Sequence, residues 1–195
     1  MPEQTTRDTK IVQYLNEAYG KEKELETALE SHIAMTTKPV YKKRLRQHLK
    51  ETKAHARTVE RRIKKLGGEP ASLPTAVTTA ASKAVAAAKG PLHALRGTGE
   101  AEKMLKNAKT EYSNEAEEIA QYTAIETLAE SVGDKETAKL ARGIRREEER
   151  MAKFLAGQIP VLTKSVAREE IPAAERRTNG GARRRSRSTS RSRSS

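Results

Sequence analysis

Apolar side chains recur in steps of three and four along four long stretches of this chain, the signature of amphipathic helices. The first stretch, from about residue 8 to 35, aligns Ile11, Leu15, Ala18, Glu22, Leu25, Leu29 and Ile33. Thr36, Thr37 and Pro39 break it, and a second helix begins there with Thr37 as its expected cap. That helix covers about 40–66 with Leu45, Leu49, Ala56, Val59, Ile63 and Leu66 on its apolar face, and His48, Glu51, Thr52 and His55 on or beside it. Gly67 and Gly68 close it. The third stretch, about 102–132, aligns Tyr112, Glu115, Glu118, Tyr122, Ile125 and Ala129. Gly133 ends it, and Asp134 caps a fourth helix over 135–159 with Ala141, Ile144, Glu148, Met151, Leu155 and Ile159 in line. Pro160 is expected to kink or stop that helix, with at most one or two further turns up to Ile171.

The link over 67–100 is rich in Gly, Pro, Ala and Thr and contains a short Ala-rich helical piece from Pro74 to Lys89. Short connections within each pair of helices make two antiparallel hairpins. Helices of about 27 residues are roughly 40 Å long, so a link of this size can traverse the bundle and leave helices 2 and 3 parallel. Val77, Ala81 and Val85 would then pack on the bundle's outside. An up-down-up-down bundle would not need so long a link, but periodicity does not exclude it.

Each stripe carries a glutamate near its helix midpoint: Glu22, Glu51, Glu118 and Glu148, with His55 one turn after the second. A buried carboxylate costs several kcal/mol unless its charge is compensated. Four at one level of a core ask for a cation, and oxygen ligands with some imidazole suit iron or manganese. Glu22, Glu51, His55, Glu118 and Glu148 are therefore the expected ligands of one or two ions. The opposing reading is a set of stripe-edge glutamates paired with Lys or Arg, which the run from Arg145 to Arg150 makes concrete at Glu148.

Composition narrows the field. Hydrophobic residues are 35% and charged residues 33%, with one Phe and no Trp, which suits helices packed through aliphatic side chains and argues against an aromatic-rich β fold. The absence of cysteine excludes disulfides, thiol nucleophiles and thiolate metal sites. A polar opening and the lack of any membrane-length apolar run point to the cytoplasm. Catalysis without metal through paired carboxylates is the weakest option, because nothing resembles a nucleophile elbow, a phosphate loop or a glycosidase arrangement.

The segments Tyr19-Gly-Lys-Glu22-Lys, His48-Leu-Lys-Glu51-Thr, Glu115-Ala-Glu-Glu118-Ile-Ala-Gln-Tyr122 and Arg146-Glu-Glu148-Glu resemble the YciE/YciF-type ferritin-like family of bacterial stress proteins. The resemblance spans about residues 8–165. It implies an all-α, ferritin-like four-helix bundle over 8–171 with one long helix-containing crossover, a homodimer, and a link to stress without a settled chemistry. The chain departs from the di-metal pattern: His55 lies four rather than three residues after Glu51, Met151 stands where a helix-4 His is expected, and Ala116 where relatives can carry His. On this reading at most one His faces inward near the centre, Glu115 is available as a substitute oxygen ligand, and His32 and His93 are incidental.

The net charge is +13. Residues 176–195 hold eight Arg and no acid, and 13 less 8 leaves +5 for residues 1–175. Outside the bundle, residues 1–7 read as a flexible start and 172–195 as a disordered tail. Arg183, Arg184, Arg185, Arg187, Arg191 and Arg193 alternate with Ser and Thr without any aromatic. Such a segment binds nucleic-acid phosphates by counterion release, without sequence preference, and would hold the protein at the nucleoid; the bundle is expected to add little. The expected function is metal or peroxide handling in a stress protein anchored on nucleic acid. The alternative is a non-catalytic scaffold or dimerisation module acting through its tail, and no membrane partner is expected.

Overall fold

The computed structural model describes residues 5–71 and 99–176. Four helices make up nearly all of them: α1 Thr6–Met35, α2 Pro39–Lys65, α3 Glu100–Ser131 and α4 Lys135–Glu170. The expected helical piece at 74–89, the packing of Val77, Ala81 and Val85, His93, and the tail arginines lie outside the described residues.

Helix starts follow the local chemistry. The Thr5 hydroxyl accepts the Asp8 amide at 3.1 Å and caps α1. Asp134 does the same for α4, taking the Thr137 amide at 3.0 Å. Thr37 does not cap α2. The cap position is Lys38 without a side-chain bond, while the Thr37 hydroxyl turns to the Met104 sulfur at 3.7 Å. Pro39 in the first turn needs no donor partner, which makes a side-chain cap dispensable.

Two glycines carry the turns. Gly67 (φ 76°) and Gly133 (φ 74°) adopt the left-handed conformation that closes α2 and α3. At Gly68 the constraint is space, because a Cβ would stand 2.5 Å from Val12 Cγ1. The chain leaving α2 is then pinned to α1: Asn16 donates to the Glu69 carbonyl at 3.1 Å and accepts the Ala71 amide at 2.7 Å.

α4 does not stop at Pro160; it continues to Glu170. Proline removes one helical hydrogen bond and crowds the preceding turn. Beyond it, however, Leu162 is fully buried on the face of Met151 and Leu155, and Val166 packs against the same cluster. Burying a leucine contributes about 1.5–3 kcal/mol, enough to carry the helix past the defect.

Side-chain pairs between helices fix the topology. His32–Glu111 and Glu22–Tyr122 run in opposite senses, so α1 and α3 are antiparallel. Arg62–Glu136 and His55–Glu147 make α2 and α4 antiparallel. Tyr41–Glu111 and His48–Glu115 advance together, so α2 and α3 are parallel. This is the ferritin-like arrangement, and an up-down-up-down bundle is excluded.

The core divides into two apolar clusters. One gathers Ile11, Leu15, Val59, Ile63, Ile125 and Ile144; the other gathers Leu29, Leu45, Met104, Met151, Leu155 and Leu162. On α3 the stripe passes through Glu111, which is buried, and Tyr112 is 42% exposed. Four residues back from Glu115 lies Glu111, and its carboxylate is satisfied by the Tyr41 hydroxyl (2.7 Å) and His32 Nδ1 (2.7 Å). His32 is thus a partner of a buried acid rather than incidental.

Candidate metal centre

Between the two apolar clusters lies a polar layer. α1 contributes Glu22, α2 His48 and His55, α3 Glu115 and Glu118, and α4 Glu148, and all six are buried. Their placement follows from helical spacing. Glu22 falls four residues after Ala18 and three before Leu25, on the buried stripe of α1. His48 and His55 are seven residues apart, two turns on one face, with a rise between them of about 10 Å. They therefore cannot share one point, and Glu148 stands between them.

Glu148 joins two groups of three. Its Oε1 is 2.9 Å from His55 Nδ1, which is 3.5 Å from Glu22 Oε1. Its Oε2 is 3.8 Å from His48 Nε2, which is 3.0 Å from Glu115 Oε1. In Glu22–His55–Glu148 and in His48–Glu115–Glu148 one ligand atom per residue lies within 4.8 Å of the others.

The surroundings hold these groups in place. The Tyr122 hydroxyl donates to Glu22 Oε1 at 2.6 Å. His55 Nε2 meets Glu147 Oε2 at 2.9 Å. Glu147 stands half-buried at the end of a groove between α2 and α4, of about 500 Å³, lined by Ala54, Thr58, Gly143 and Ile144 among others.

Electrostatics match a cation-seeking site. Burial alone would depress His48 and His55, but the facing carboxylates overcome it and raise them to about 10 and about 11. Burial pushes Glu115 up to about 8. It raises Glu22 and Glu118 as well, with neighbouring carboxylates adding to the effect on both. Burial also opposes ionisation of Glu148, yet contact with both imidazoles keeps it below the usual carboxylate range.

Polar satisfaction fails at this layer and almost nowhere else. Nine buried side-chain polar atoms among the described residues lack a hydrogen bond, and seven belong to these six residues. They are Glu22 Oε2, His48 Nδ1, His55 Nδ1, Glu115 Oε2, Glu118 Oε1 and both oxygens of Glu148; of these, His55 Nδ1 and Glu148 Oε1 face each other at 2.9 Å as an ion pair. Buried polar groups are normally paired, so this concentration fits ligands aimed at an ion.

Of the five ligands expected from sequence, the structure brings Glu22, His55 and Glu148 into one group, with Glu118 beside it. Glu51 stands apart. It is partly exposed and bonded to Arg44 Nη1 (2.9 Å) and Gln47 Nε2 (3.3 Å), with His48 Nδ1 at 3.5 Å. The arginine and His48 hold it ionised, at about 2, despite partial burial. On α2, Glu51 lies about 60° around from His48 and about 40° from His55, at the edge of the inward face, where Arg44 and Gln47 reach it. Two histidines face inward, not one. The 48/55 spacing on the stripe was the signal for the second. Glu115, expected only as a substitute, stands in the second group with His48 and Glu148.

A family model described as a domain of unknown function (DUF892) matches residues 6–168. The chain belongs to this family. Its ferritin-like fold is borne out by solved structures similar to it. A Xanthomonas campestris protein is 24% identical with a TM-score of 0.69, covering 85% of this chain and 99% of its own. The Escherichia coli stress protein YciF is 19% identical at a TM-score of 0.60, with 82% and 98% covered. Desulfovibrio desulfuricans bacterioferritin, described with a diiron site, is 17% identical at 0.62, with 87% and 86% covered. At these identities the likeness establishes the fold. No curated protein matches the chain. Among ferritin-like di-iron bundles four Glu and two His form the usual donor set, one His on each of two helices. The DUF892 chain presents the same count with both His on α2 and two Glu on α3.

Proposed function

We propose that this protein binds one or two ions of iron or manganese in its core and handles metal or peroxide as part of a stress response. The observation that carries the reading is the four-Glu, two-His layer with its seven buried atoms that make no hydrogen bond. Glu22, His55 and Glu148 would hold one ion and His48, Glu115 and Glu148 the other, with Glu118 beside them. A bound redox metal supplies one-electron chemistry toward oxygen or peroxide. The chain's own contribution is orientation: the Tyr122 hydroxyl fixes Glu22, Glu147 fixes the His55 ring, and Glu51 faces the outer nitrogen of His48. Leu and Ile layers on either side keep bulk water from the centre.

The tail arginines, within this proposal, hold the protein on nucleic acid of any sequence, placing a cytoplasmic homodimer at the nucleoid. No described helix is long and apolar enough to cross a membrane. The scaffold reading has one observation in its favour. Protonated His48 and His55 partly neutralise the carboxylates, so the layer is tolerable without metal.

Metal content decides between the two. Protein purified without chelator, or loaded with Fe(II) under argon, is expected to carry between one and two ions per chain, with Glu148→Gln at background. No bound metal under either condition would establish the scaffold.

A further inference from the structure

The mild charge of the bundle conceals a strong asymmetry. α2 carries eleven Lys and Arg against Glu51 and Glu60, a net of +9. With +5 over residues 1–175, the rest of that span sums to 5 less 9, or −4. The α2 charge is ordered as well as dense. Lys43, Arg46, Lys50, Arg57 and Arg61 follow at steps of three, four, seven and four, one straight line along a helix, and all five are exposed.

Of the other six cations of α2, all but Lys42 are already engaged. Arg44 pairs with Glu51, Lys53 with Glu30, Arg62 with Asp134 and Glu136, Lys64 with Glu60 and Lys65 with Glu136. Among the described residues the five in the line have no ion pair, and the acids of α2 are taken by Arg44 and Lys64. At its Lys43 end the line borders a groove shared with Val40, Gln47 and Phe154.

We propose that this face of α2 is a docking surface for the phosphate backbone of duplex nucleic acid, separate from the tail. From Lys43 to Arg61 the helix rises about 27 Å. Over that length a duplex presents about eight phosphates per strand, at one per 3.4 Å of axis. A rigid row of this kind suits a regular polyanion. The one position of the line without a charge, Ala54, is small, so the row lacks the apolar partner face that membrane-surface helices insert. The row itself carries no aromatic on which single-stranded bases would stack, and Phe154 borders only its Lys43 end. The described chain also ends at the Lys43 end of the bundle: Glu169 near the end of α4 meets the Ala101 amide at the start of α3, which is parallel to α2. Tail and row can therefore grip one duplex together.

The inference stands whether or not the core binds metal, and four full-length chains test it. They are wild type; K43Q/R46Q/K50Q/R57Q/R61Q; a chain with all eight arginines of 176–195 changed to Gln; and the combination. Fluorescence anisotropy with an arbitrary-sequence duplex from 50 to 300 mM salt gives affinity and salt slope, and circular dichroism confirms folding. The five-fold row variant is expected to lose up to about 4.5 units of log–log slope. The tail-neutral chain should still bind at low salt, with a residual slope that the combined variant lacks. Wild-type behaviour of the row variant, or a tail-neutral chain indistinguishable from the combination, would overturn the surface. So would equal dependence on the row for vesicles of anionic lipid. A tail-neutral chain that binds like wild type refutes the tail reading and leaves this one intact.

Discussion

Glu118 and Glu148 sit in the same polar layer yet differ in what supports them, and substitutions should separate them. Glu118 is raised by burial and by three neighbouring carboxylates, with Oε1 unpaired. Replacing it with Ala is expected to remove most bound metal while leaving the metal-free protein as stable as before, because an uncompensated group has been deleted. Glu148 balances both imidazoles. Glu148→Ala strands two buried charges and should destabilise the metal-free protein by about 3–5 kcal/mol. Urea unfolding in chelator, set beside metal analysis, checks both; equal destabilisation would refute the distinction. At this scale the sequence disclosed type more readily than direction. Glu22, Glu118 and Glu148 were legible because a charged residue inside an apolar stripe is conspicuous. Glu51 and His48 were exchanged because both lie near the stripe of α2 and three residues rotate a side chain by most of a turn. Only the Arg44 partner of Glu51 reveals which one faces water.

At the scale of the elements, periodicity located all four helices, and the errors fall where packing overrides a local signal. Pro160 reads as a kink or a stop followed by one or two further turns, but Leu162 and Val166 carry α4 on to Glu170 as one helix. Pro160→Ala restores the missing donor and should raise stability, by up to about 3 kcal/mol, seen as a higher melting temperature. A lower one would mean that the turn requires proline. Arg62 is the opposite case, a charge that no pattern marked as structural. It is buried, and its guanidinium donates to Thr137 Oγ1 (2.7 Å), Glu136 Oε2 (2.7 Å) and both oxygens of Asp134 (2.7 and 2.6 Å). It ties the end of α2 to the cap of α4. Arg62→Ala should cost about 3–5 kcal/mol, whereas Arg61→Ala, one residue away and exposed, should stay within about 0.5 kcal/mol.

For the molecule as a whole, the polar layer makes stability depend on pH in a direction that metal reverses. His48 and His55 are raised from 6.5 to about 10 and about 11, so their contribution is complete below about pH 6.5 and is lost as pH rises through the folded values. Glu115, raised from 4.5 to about 8, favours the folded metal-free protein in acid, and that gain disappears between those values. Glu51, lowered to about 2, stabilises above about pH 4.5 and is lost only toward pH 2. The metal-free protein should therefore be most stable in mildly acidic solution and weaken toward pH 9. Ligands must shed protons to coordinate, so loaded protein should gain on the metal-free form over the same range. Urea midpoints from pH 5 to 9 with metal or with chelator test this, and parallel curves would count against coordination by the histidines. The topology that holds the layer was open to sequence as far as the length of the link allowed. The parallel sense of α2 and α3 needed the pairs Tyr41–Glu111 and His48–Glu115 to establish it. The groove between α2 and α4, lined by both His55 and Glu147, has a kinetic meaning. If the Glu147 carboxylate swings aside, the outer nitrogen of His55 meets that groove, and water or peroxide should reach the centre along it sooner than a multidentate chelator. Exchange along that groove sorts molecules by girth before affinity has any say. Peroxide should meet bound iron within seconds, while a bulky chelator added at the same moment waits for the bundle itself to breathe.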